Sequence, residues 1–171
     1  MATTPTSELE QARKIAATAQ VVAVVALVII ATAIVTRLGF PIGAALFDAA
    51  TPWRELVNNI GMVSISLLPS FLFYEAVNQL RHALKLYGDG EFFSADAALR
   101  VAQAGDYAIG AMVSLMLVVP NVTLWITEHG GFDVRFESEA IGMFAFALFI
   151  SAVGRILGAA SRLKTENDSF V

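Results

Sequence analysis

The sequence predicts an all-α protein: an integral membrane bundle of four transmembrane helices, with the N- and C-termini cytoplasmic. Three observations carry that expectation. Of 171 residues, 57% are hydrophobic and 15% charged, against about 45–50% and about 25% in soluble domains. Four windows approach or exceed the roughly 20 apolar residues that a helix needs to cross a bilayer. The lysines and arginines gather on alternate connections, as they do in multi-pass proteins.

Residues 1–14 form a cytoplasmic arm that carries Glu8, Glu10, Arg13 and Lys14. The first span, about 15–38, contains the charge-free run from Ile15 to Thr36. Ala31-Thr32-Ala33 resembles a signal cleavage site, but the presence of Glu8 and Glu10 beside Arg13 and Lys14 and the long apolar run favour a retained span. Pro41 and Pro52 mark a short outer connection up to Glu55. The second span, about 56–80, continues beyond Tyr74 as an amphipathic helix. Ala76, Val77, Leu80, Ala83, Leu84 and Tyr87 repeat at helical spacing, and Asn78, Gln79, Arg81, His82 and Lys85 take the other face.

The cytoplasmic connection, 81–105, contains the charged passage LKLYGDGEFFSADAALR, and Gly88 reads as the helix stop. Ser94 can cap a new short helix, with Asp96 favoured by its dipole. Gly88-Asp89-Gly90 makes a poor phosphate cradle, because the P-loop spacing and the preceding strand are missing. The third span follows at about 106–127. Glu128 to Glu139 opens with a glycine pair, then alternates Phe132, Val134 and Phe136 as a small extended flap. The fourth span, about 139–161, contains Arg155, and residues 162–171 form a polar cytoplasmic tail.

Orientation follows from the basic residues. Arg13, Lys14, Arg81, Lys85, Arg100, Arg155, Arg162 and Lys164 fall on one side; Arg37, Arg54 and Arg135 fall on the other. Trp53 and Trp125 then mark the outer interface, and Tyr74, Tyr87 and Tyr107 the inner one. The absence of cysteine excludes disulfides and thiolate metal sites. His82 and His129 lie on opposite sides, read as solvated and cannot share a metal, so neither metal nor cofactor is expected. The scattered basic residues give no footprint for nucleic acid.

The run Gly90-Glu91-Phe92-Phe93-Ser94 and the closing stretch with Arg162-Leu163, Glu166-Asn167, Asp168 and Phe170-Val171 are similar to motifs of a bacterial four-helix membrane family, Domain of Unknown Function 2975. The resemblance covers roughly Leu56 to Val171. It implies four helices in this order in a bacterial cytoplasmic membrane. The family has no established activity, some members are encoded beside small helix-turn-helix regulators, and no catalytic residue carries over.

Several residue groups are candidates for chemistry or contact. Glu75, Asp106 and Arg155 lie near the inner ends of three spans and form a candidate ionic cluster, with Glu75 expected to face Arg155. Pro69 and Pro120 should kink spans two and three, where Ser66, Ser70, Asn121 and Thr123 can satisfy freed carbonyls. Ser66, Pro69, Ser70, Pro120 and Asn121 are thus candidates to line a cavity. Gly154 and Gly158, with Gly110 and Ser114, form small-xxx-small pairs suited to helix packing. Gly88, Gly90, Phe92 and Phe93 are expected to meet the tail around Glu166 and Asn167. The functional expectation is a non-enzymatic accessory or regulatory membrane protein, in contact with lipid and with a protein partner or another copy of itself. The alternative is a small transporter, channel or ligand binder using the kinked helices.

Overall fold

The computed structural model describes residues 5–47, 52–127, 130–134 and 137–168. Among these, all regular structure is helical: α1 Pro5–Phe47, α2 Trp53–Gly88, α3 Ala95–Val113, a π-helical stretch Ser114–Val118, α4 Val119–Ile126 and α5 Ser138–Asp168. Four runs are long and apolar enough to cross a membrane: Ser7–Phe40, Trp53–Gly88, Ala95–Ile126 and Ser138–Asn167.

Three boundaries differ from the sequence expectation. α1 continues through Pro41 to Phe47, occupying half of the expected outer connection. Its 43 residues make about 65 Å of helix at 1.5 Å per residue, twice the roughly 30 Å of a hydrocarbon core. The short helix before the third span is not a separate element. It runs without a break through Gly105 into α3, because that glycine serves a close helix contact instead of a hinge. Thr165 to Asp168, expected in the polar tail beyond the fourth span, form the last turn of α5.

The helices pack as an open row in chain order. α1 lies against α2, α2 against α3, and α3 against α5, and no other pair of long helices packs extensively among the described residues. Short connections make chain neighbours into spatial neighbours. Burial is correspondingly thin: 17% of the apolar window of α1, α2 and α5, and 33% of that of α3, is buried inside the molecule. Ala16, Ala23, Leu27 and Ile34 are the buried apolar positions of α1, while Val21, Val22, Val25, Val28 and Ile29 are exposed around them. A helix this apolar on its open faces is built for a lipid-like surrounding.

α3 and α5 meet through small residues. Gly158 faces Ala98, Gly154 faces Ala102, and Gly105 faces Ser151, so the pair runs antiparallel. A Cβ on Gly154 would lie 2.6 Å from the Ala102 Cα, and one on Gly105 would lie 2.6 Å from the Ser151 Cα. The buried positions Ala147, Ser151, Gly154 and Ser161, with Gly158, recur at alternating steps of four and three. That is the 3.5-residue repeat of a coiled seam.

Candidate functional site

The α2–α3 connection gathers three parts of the chain that are far apart in sequence. α2 ends in a Schellman motif: the Glu91 N–H donates to the Leu86 carbonyl and the Gly90 N–H to the Tyr87 carbonyl. The left-handed residue is Gly90, with φ +94°, so it replaces Gly88 as the glycine the stop requires. Gly90 also has the Arg13 guanidinium of α1 against it, with Cζ 3.0 Å from where a Cβ would stand. Ser94 caps α3 as its position predicts, its side chain accepting from the Ala97 N–H at 3.4 Å. Asp96 then pairs with Arg100 one turn on, at 3.5 Å.

Phe92 stacks on Tyr87, with ring centroids 6.2 Å apart. α5 reaches the same connection. The Ser161 hydroxyl donates to the Phe93 carbonyl at 2.8 Å, and Lys164 stands 4.8 Å over the Phe93 ring. The connection and the end of α5 therefore meet through Ser161 and Lys164, ahead of the expected Glu166 and Asn167. Glu166 and Asn167 are exposed, and Ser169 to Val171 lie outside the described residues. Leu9, Gly90 to Ser94 and Lys164 line an open surface hollow of about 410 Å³.

The expected ionic cluster separates in two. Arg155 pairs with Asp106, not Glu75: its Nη2 lies 3.0 Å from one carboxylate oxygen and 3.2 Å from the other. Ser151 donates to Asp106 at 2.6 Å and accepts from Arg155 Nε at 3.3 Å, locking the pair across α3 and α5. Glu75 belongs to α2, which stands on the opposite side of α3 from α5. It accepts from Gln79 at 2.6 Å, and Gln79 in turn accepts from Arg100 Nη1 of α3 at 2.9 Å. Gln79, assigned from sequence to the polar face, is 8% exposed and on the buried face with Ala76 and Ala83. Gln79 and Arg100 are the site residues that sequence reasoning missed. The signal was present, since 76, 79 and 83 share one helical stripe.

His82 is half-buried beside Arg81, whose Nη2 lies 2.9 Å from its Nε2, instead of fully solvated. His129 lies outside the described residues. No group of three metal-ligating side chains occurs among the described residues.

The two prolines behave differently. Pro69 sits inside an unbroken α2. Ser66 is exposed and donates to Val63 of its own helix, so it satisfies no freed carbonyl. Pro120 follows the π-helical stretch, in which the Val119 N–H donates to the Ser114 carbonyl five residues back. The Asn121 side chain donates to the Leu117 carbonyl, not to the Met116 carbonyl four residues before Pro120, and also to the Asp133 carbonyl, both at 2.6 Å. The Asp133 N–H returns a bond to Asn121 Oδ1 at 3.0 Å. Asn121 thus staples the connection at 130–134 onto α4. These five residues form no strand, with Phe132 exposed and Val134 half-buried; Phe136 lies outside the described residues.

A cleft of about 260 Å³ opens beside this staple, lined by Met116, Pro120, Thr123, Asp133 and Glu137 among others. Ser66, Ser70 and Asn121 are not part of its wall, so the expected shared cavity does not form there. The packing pairs also divide. Gly154 and Gly158 face α3, whereas Gly110 faces Leu72 of α2, and Ser114 supplies the π-helical carbonyl.

No family model, no curated protein and no solved structure matches this chain.

Proposed function

We propose that this chain is a non-enzymatic integral protein of a bacterial cytoplasmic membrane, of the Domain of Unknown Function 2975 type. In this reading its termini are cytoplasmic, and it is an accessory or regulatory subunit that binds a partner protein through its inner end. One observation supports this most directly. The start of α1, the α2–α3 connection and the end of α5 converge on Gly90 and Phe93, yet the Phe93 side chain stays 66% exposed. A preorganised aromatic ring on a rigid scaffold, with Lys164 beside it, has the character of an interface anchor.

The test is a photo-crosslinking residue at position 93 in cells, followed by purification in nanodiscs and mass spectrometry. One stoichiometric partner, lost in Phe93→Ser at unchanged expression, is the expected result. Crosslinks to lipid alone would defeat the proposal.

The cleft beside Pro120 favours a second reading, a small-molecule binder or transporter. π-helical stretches occur often at functional sites, and this one shares a wall with Asp133 and Glu137. Retention of a small ligand that Thr123→Leu abolishes would support it.

A further inference from the structure

The α3–α5 seam has two hollows on one face. The first, of about 310 Å³, lies toward the connection end and includes Gln103, Asp106, Arg155, Ala159 and Arg162 in its wall. The second, of about 300 Å³, lies toward the other end and is lined by Val113, Met116, Leu117, Ile141 and Phe144. Phe144, Leu148, Arg155 and Arg162 stand on one stripe of α5, at steps of four and seven. The stripe is apolar at the outer end and cationic at the inner end.

The two arginines are disposed for an anion. Arg155 is held by Asp106 and Ser151 through Nη2 and Nε. Its Nη1 makes no hydrogen bond among the described residues, and its side chain remains 67% exposed. A guanidinium has five donors, so the paired group can still serve an acceptor. Arg162 is exposed and forms no ion pair among the described residues. Phe144 and Arg155 are eleven residues apart, about 16 Å along the helix. One leaflet of hydrocarbon is about 15 Å, half of the bilayer core.

We infer that this seam binds one anionic phospholipid of the inner leaflet, with its phosphate between Arg155 and Arg162 and an acyl chain reaching the hollow at Phe144. The inference rests on the membrane reading above. A free phosphate would use the arginines but leave the second hollow unexplained. A lipid matches both ends and the distance between them. Cationic pockets between helices on the inner side are suited to such headgroups.

Membranes containing the full chain are first washed with alkaline carbonate, where retention of the chain is expected. The purified, delipidated chain is then titrated with phosphatidylglycerol and with phosphatidylcholine of the same acyl chains, read by native mass spectrometry. One tightly bound phosphatidylglycerol is expected. Arg162→Gln should weaken it about fivefold, and Lys14→Gln, a basic residue away from the seam, should not. Phe144→Ala should also weaken binding, and glycerol phosphate should compete poorly. Equal binding of the two lipids, no effect of Arg162→Gln, or competition by glycerol phosphate as strong as by the lipid would overturn the lipid site alone. Release of the chain by carbonate would overturn the membrane reading and this site with it.

Discussion

Gly154 and Gly105 stand where α3 and α5 come closest, and in each case the two nearest opposing atoms are backbone. Backbone cannot swing aside as a side chain can, so even one methyl must push the helices apart. Gly154→Ala and Gly105→Ala should each lower the thermal unfolding midpoint in detergent, by about 1–3 kcal/mol of overpacking. Gly158→Ala, with only the Ala98 Cβ at 3.8 Å, should be nearly silent.

The helix from Ala95 to Ile126 contains one irregularity, and its cause is local. Pro120 has no N–H to give to the turn before it, and the backbone answers with the π-helical bond from Val119 to Ser114. Asn121 then covers the Leu117 carbonyl and holds the backbone C=O and N–H of Asp133. Asn121→Leu keeps the branched shape but removes these bonds, at about 0.5–1.5 kcal/mol for each. The expected outcome is a lower melting point together with faster protease cleavage near residue 130. A melting point like that of the unchanged protein would mean that the staple is dispensable.

An open row of four helices places most of the apolar surface outward, so the molecule depends on its surroundings more than on its own core. The proposed topology puts the connection at Asp89 inside and Gly130 outside. The chain has no cysteine, so single cysteines at these two positions report directly. An impermeant maleimide applied to intact spheroplasts should label Gly130→Cys and spare Asp89→Cys. The reverse pattern would invert the orientation derived from the basic residues. The exposed edges α1 and α5 each present a long apolar face with no helix against it among the described residues, as suits a lipid surrounding.

The sequence by itself determined the number and order of the apolar helices, the cap at Ser94 and the small-residue face of α5. Each of these depends on neighbours within a turn or two, through hydropathy, periodicity and capping chemistry. The continuation of α2 to Gly88 was legible for the same reason. Which helices touch was decided only by the tertiary structure. Glu75, Asp106 and Arg155 all sit at the same level of the molecule, and sequence position ranks no pairing among them above another. Only the placement of α3 between α2 and α5 gives Arg155 to Asp106 and Arg100 to Gln79. The same holds for Arg13 against Gly90 and Lys164 over Phe93. Long-range partners follow from packing geometry, which a one-dimensional pattern of apolar residues does not encode.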